Sequence, residues 1–249
     1  MLAVSLPIIF AQVPAFASSL EEPVIQERVL KQAQALIEKD EEDRGAMREA
    51  INLLDKYEAQ FPQEPRFPLY LAEAYYRMAN PEANIDKEFP IYEKVETYAG
   101  KVLKLDPSRP EGHYWFGLFL LKKAQKTGGI RAYSLTRNGI RELESVRATL
   151  PGYDHAGASR VLAQLYCVAP GWTPFGDIDK SILLGQEAVR IDPVFPLNHL
   201  YLADAYNKRG DSESAINEYR KVLSLPSLSK CDREKAGKML RKLGAAVSD

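Results

Sequence analysis

The sequence predicts an all-α solenoid of about five helix pairs, with long intra-repeat inserts and a C-terminal capping helix. Three observations carry this. Apolar-periodic runs end four times at a proline, Pro62, Pro107, Pro151 and Pro193, at intervals of 42–45 residues. Three residues after three of these stops a second proline follows: Pro65, Pro110 and Pro196. Small residues recur in register between them, at Ala72, Gly117, Ala163 and Ala203 and again at Ala50, Ala99, Ala188 and Ala215. Proline ends a helix because it lacks an N–H and clashes with the preceding turn. It suits the first helical turn, where the missing donor costs nothing. Each unit therefore runs helix, proline, short turn, new helix.

The first 17 residues, "MLAVSLPIIFAQVPAFA", carry no charge and hold an apolar run from Leu2 to Phe10. They end in Ala15-Phe16-Ala17 before Ser18, the small-x-small pattern of a cleaved secretory signal. The run is too short to span a bilayer, and no cysteine follows it to take a lipid anchor. Residues 18–249 then form a single helical-repeat domain. Its repeats are expected at about 31–64, 65–109, 110–155, 156–195 and 196–228, with a capping helix over 229–243. In the first, Ala50, Leu54 and Tyr57 precede the stop. The second holds Leu71, Ala72 and Tyr75, then Val95, Ala99 and Val102. The third holds Phe116, Gly117 and Leu120, then Leu143 and Val146. In the fourth, Asp154 takes the place of the second proline as an expected N-cap, ahead of Leu162, Ala163 and Tyr166. The fifth has Leu202, Ala203 and Tyr206, a Gly210-Asp211 turn, then Ala215, Tyr219 and Val222. Lys and Arg crowd the last turns of the capping segment, where they complement the helix dipole.

This register resembles the tetratricopeptide repeat, a unit of about 34 residues whose small residues let two helices cross closely. The surplus length falls between the two helices of a unit, at Ala79–Tyr92, Lys126–Ile140 and Ala169–Asp179. Loops at equivalent places in stacked repeats are expected along one edge. Asp177 is placed to cap a helix starting near Ile178. Trp172 and Phe175, in the third insert, either pin the loop by burial or face a ligand at one end of the groove.

In such repeats the inner groove is lined from positions 2, 5, 9, 12 and 13 of each first helix. That register gives Leu69, Tyr76 and Arg77; Tyr114, Leu118, Leu121 and Lys122; Arg160 and Gln164; and Leu200, Asn207 and Lys208, with Trp172 and Phe175 beside them. The Lys and Asn that clamp a peptide's terminal carboxylate in this repeat class are missing from their positions. The lining is largely apolar, with Arg77, Lys122, Arg160 and Lys208 as polar handles. It suits a small amphipathic ligand or a partner helix. The alternative is that an extra helix of the chain fills the groove as core.

The formal net charge of −1 gives no field favouring nucleic acid. His113 and His199 sit at position 4 of first helices, a packed and hydrogen-bonded place, and His155 sits in a turn. No nucleophile elbow, phosphate loop or metal-ligand spacing is present, so neither catalysis, nor a cofactor, nor a metal is expected. Cys167 and Cys231 are expected as lone thiols, a disulfide being the alternative in an oxidising compartment. Homo-oligomerisation stays open.

The segment from Pro110 to Leu225 is more specific. "PEGHYWFGLFLLKKAQKTGGI", "LPGYDHAGASRVLAQLY", "PGWTPFGDIDKS" and "IDPVFPLNHLYLADAY" resemble the T-component family of TRAP-type transporters. That resemblance implies a non-catalytic periplasmic repeat protein that docks the transporter's solute-binding component and takes a small hydrophobic ligand. A general envelope adaptor that binds peptides or proteins is the other reading.

Overall fold

Each of the four stop prolines lies just beyond a helix C-terminus, and the second prolines open the next helix. The computed structural model describes residues 15–39, 44–80, 83–226 and 228–246, with side chains from residue 22. The described residues form α1 (Ala15–Ile37), α2 (Arg44–Glu58), α3 (Arg66–Met78), α4 (Ile85–Leu105), α5 (Pro110–Thr127), α6 (Gly129–Thr149), α7 (Tyr153–Val168), α8 (Ile178–Ile191), α9 (Pro196–Arg209), α10 (Ser212–Ser224) and α11 (Lys230–Lys242). Helices pair in order, α1 with α2 through α9 with α10. Each pair packs on the next, and α11 closes the array against α10 and α9. No strand occurs among the described residues.

The residue before each of three stops is non-helical: Asp106 and Leu150 at φ −142°, Asp192 at φ −134°. Proline's ring excludes the helical conformation from its predecessor, so these turns are set locally. Side-chain caps start α4, α8, α10 and α11. Asn84, Asp177, Asp211 and Ser229 accept from the backbone N–H of Asp86, Lys180, Ser214 and Asp232. Asp177 caps a helix that begins at Ile178, as expected.

The small residues sit where helices cross. Ala72, Ala99, Ala163, Ala188, Ala203 and Ala215 have no exposed surface. A close crossing joins α5 and α6, where Gly117 meets Gly139. A Cβ on Gly117 would stand 3.1–3.3 Å from Glu142 Cβ, Leu143 Cγ and the Gly139 carbonyl.

Three expectations change. The first pair begins well before residue 31, because Val29, Leu30, Ala33, Leu36 and Ile37 give α1 a buried helical face. The surplus residues of the second and third repeats are mostly helix rather than loop. They lengthen α4 and α6 to 21 residues each, against 14 in α8, and only Gly128 separates α5 from α6. Ala169–Asp177 alone is a true loop, since its two prolines and two glycines cannot continue α7. Last, Asp154 is not a helix cap; its place is described below. The signal-like apolar run Leu2–Phe10 lies outside the described residues. No helix of the described residues is long and apolar enough to cross a membrane. Cys167 is buried and Cys231 exposed, both as thiols.

His113 and His199 make the same clasp. His113 Nδ1 lies 2.6 Å from Glu142 Oε2 and its Nε2 2.9 Å from the Pro107 carbonyl. His199 Nδ1 lies 2.6 Å from Glu218 Oε2 and its Nε2 2.9 Å from the Pro193 carbonyl. At His199 a carbonyl and a carboxylate both accept, so both ring nitrogens donate in the clasp and the charged ring is favoured. Burial opposes the charge on His199, but Glu218 and the Pro193 carbonyl outweigh it and raise its pKa above 6.5. A raised native pKa adds stability that is complete below the unfolded value and fades as pH climbs through the native one. His199→Leu should therefore cost about 1.5–3 kcal/mol below pH 6.5. In urea unfolding across pH, that difference should shrink on the alkaline side; a pH-independent difference would rule out a charged clasp.

Candidate functional site

The concave side encloses a cavity of about 670 Å³ bounded by α3, α4, α5, α7 and α9. That is the size of a small-molecule pocket, which typically spans roughly 300–1,000 Å³. Its walls are Tyr76, Tyr92, Trp115, Leu118, Leu121, Val161, Leu165, Leu197 and Tyr201. Among the described residues no extra helix occupies it.

One end is closed by a buried ion cluster built on a left-handed turn. Asp154, His155 and Ala156 have φ of 48°, 55° and 61°. Such conformations cost non-glycine residues roughly 1–3 kcal/mol each. Arg160, 6% exposed, offsets this. Its Nη1 donates to the carbonyls of Asp154 and His155, both at 2.8 Å, and its Nη2 to Asp154 Oδ2 at 2.8 Å. Tyr114 Oη donates to the same carboxylate oxygen at 2.5 Å, and Arg77 Nη2 to Oδ1 at 2.9 Å. Three helices thus converge on one aspartate. Burial works against ionising Asp154, but Arg160, Arg77 and the Tyr114 hydroxyl hold its pKa below the ordinary carboxylate value. Glu73 takes Arg77 Nε at 2.9 Å. There burial dominates and its pKa is raised. Gly157 makes the convergence possible, because a Cβ there would collide with the Tyr114 hydroxyl and the Asp154 carboxylate. Phe195 completes this end, with the His155 ring stacked on it at 4.2 Å and the Arg160 guanidinium over it at 4.7 Å.

The other end is polar and open. Lys122, Gln125 and Gln164 line it, and Val168 is 66% exposed there. Lys122 is half-buried. Its ammonium lies 5.3 Å from the centre of the Tyr92 ring and meets no carboxylate among the described residues. Burial lowers its pKa from the usual lysine value.

Of the residues expected in the groove, the cavity brings together Tyr76, Arg77, Tyr114, Leu118, Leu121, Lys122, Arg160 and Gln164. Six do not line it. Leu69 and Leu200 are core, 4% and 0% exposed. Asn207 packs half-buried away from the cavity. Lys208 is not a handle in the groove: its ammonium donates to the carbonyls of Cys167 and Ala169, capping the end of α7. Trp172 is neither pinned nor near the cavity; it is 87% exposed. Phe175 packs on Tyr133, ring centres 5.1 Å apart, tying the third insert to the second.

The misses share a cause. From Pro65, α3 contributes only positions 12, 13 and 15. Helix α5 contributes 5 through 16, α7 contributes 5 through 13, and α9 only 2 and 6. Each pair is rotated on the last, so the lining slides from the C-terminal end of one first helix to the N-terminal end of a later one. A fixed register cannot follow this. Position 6 was the overlooked signal, since Trp115, Val161 and Tyr201 all occupy it and all line the cavity. Asp154 had no local signal beyond the glycine three residues on.

Among solved structures, TTC0263, described as a thermophilic TPR protein of Thermus thermophilus, is 15% identical. The match covers 86% of this chain and 98% of that one, with a TM-score of 0.66. The fold is tetratricopeptide-like. The assembly chaperone of RpL4 (Acl4, residues 1–338) is also 15% identical, covering 87% of this chain and 84% of its own at a TM-score of 0.50. MamA protein, 17% identical over 90% of this chain and all of its own, has a TM-score of 0.47. The family described as RMD1-3, regulator of microtubule dynamics protein 1-3, matches residues 29–132, from α1 into the start of α6. Comparison with curated proteins gives no match.

Proposed function

We propose that this tetratricopeptide-like chain is a non-catalytic binding protein that holds a small hydrophobic or amphipathic ligand in the cavity between α3, α5, α7 and α9. The observation that carries the reading is an aromatic-walled cavity of about 670 Å³, sealed at one end by the Arg77–Asp154–Arg160 cluster and left unfilled by the described residues. Strain held in place by buried ion pairs preorganises a wall that packing alone would let collapse. The proposed setting is the periplasm, and the proposed partner is the solute-binding component of a TRAP-type transporter. Both rest on the signal-like N-terminus and on the motif resemblance over Pro110–Leu225. The residues matched to the microtubule-regulator family overlap that segment only over 110–132.

A second reading is a general adaptor for proteins or peptides. Exposed Trp172 (87%) and Ile130 (93%) favour it, because large apolar side chains held in water mark contact surfaces. Native mass spectrometry of the chain purified without denaturant separates the two. The expected spectrum shows one small molecule bound per chain, lost on mild activation. A ligand-free mass that stays unchanged on adding long-chain amphiphiles would overturn the first reading.

A further inference from the structure

The charges around the cavity do not balance, and the surplus sits in one place. Arg160 and Arg77 are both committed to Asp154, and Arg77 also to Glu73. Lys122 is the exception. Its side chain lines the cavity half-buried, with an aromatic ring beside the ammonium and no carboxylate partner among the described residues. A half-desolvated ammonium without an anion is costly to hold. Gln125, one turn on along α5, and Gln164 on α7 line the same end. Neither side-chain amide bonds to protein among the described residues. Two amides and an ammonium present donors that match the acceptor oxygens of a carboxylate or phosphate acid group.

Size narrows the class further. A cavity of about 670 Å³ lies in the range of pockets that take one small molecule and holds one alkyl chain with its head. From Tyr114 to Gln125 the α5 wall runs about 16 Å at 1.5 Å per residue, long enough to line one extended chain.

We infer that the ligand is a single-chain amphiphile with one acid group, the acid seated at Lys122, Gln125 and Gln164 and the chain running inward past Leu118 to Trp115. This rests on the cavity being a ligand site, and the test separates the two claims. Dodecanoate and dodecan-1-ol, each below its aggregation concentration, are titrated calorimetrically into the full chain and into Lys122→Met and Lys122→Arg. Dodecanoate should bind more tightly than the alcohol. Lys122→Met should weaken dodecanoate about tenfold or more and leave the alcohol within about twofold, and Lys122→Arg should retain most of the acid's affinity. Equal affinities for acid and alcohol, or an unchanged acid affinity in Lys122→Met, would overturn the acid-group assignment while keeping the cavity as an apolar site. Failure of both probes to bind would remove the ligand site itself. Tighter, Lys122-dependent uptake of diacyl phosphatidate from vesicles than of dodecanoate would overturn the single-chain assignment.

Discussion

Replacing Arg160 with methionine should lower the free energy of unfolding by roughly 3–5 kcal/mol, the range for breaking a buried ion pair on one side. The guanidinium does two jobs that methionine cannot. It neutralises Asp154 in a buried place, and it donates to the carbonyls of Asp154 and His155. Without it the aspartate is left with Arg77 and the Tyr114 hydroxyl. The left-handed turn then loses the contacts that offset its strain. Urea unfolding followed by circular dichroism gives the loss directly. Asp154→Asn in the Arg160→Met background should restore part of it, because the uncompensated charge goes with the carboxylate. A loss under about 1 kcal/mol would mean that packing, not the ion cluster, holds the turn. Equal losses in the single and double variants would show that the lost carbonyl bonds, not the charge, set the cost.

The second large effect is at the crossing of α5 and α6. Gly117→Leu should cost about 3 kcal/mol, the upper part of the range for overpacking a tight interior. Its first atom would already stand within 3.1–3.3 Å of Glu142, Leu143 and the Gly139 backbone, and the three further carbons of leucine add to that crowding. Gly117→Ala makes the internal control. Alanine gains about 1 kcal/mol of helix propensity over glycine, against a contact that a few tenths of an ångström of give would relieve. Alanine should therefore fall within about 1 kcal/mol of the parent, and a smooth trend from glycine through alanine to leucine would contradict a hard steric limit at this crossing. Chemical unfolding of the three proteins provides the measurement.

The residues divide sharply in how far they could be understood without coordinates. Helix ends were visible because proline acts on its own neighbours: Asp106, Leu150 and Asp192 take their conformation from the ring that follows each of them. Small-residue crossings were visible because their spacing repeats. Total repeat length does not reveal that 85–92 and 129–140 are helical, but neither stretch has the proline and glycine density of Ala169–Asp177. Asp154 was hidden for a deeper reason. Its partners Arg77 and Tyr114 lie 77 and 40 residues away, and nothing local distinguishes a helix cap from the hub of a buried ion cluster. For the groove, eight of the lining residues came from the register alone. The register failed at its two ends, Leu69 and Leu200, where successive rotation had carried position 5 into the core.

That rotation also limits how this architecture can grow. The hollow crosses the array obliquely, entering at the tail of α3 and leaving at the head of α9, so four first helices exhaust it. Duplicating a helix pair would not deepen the chamber; the added pair would already face elsewhere and begin a separate recess. A wider chamber would require trimming the side chains that now form the walls.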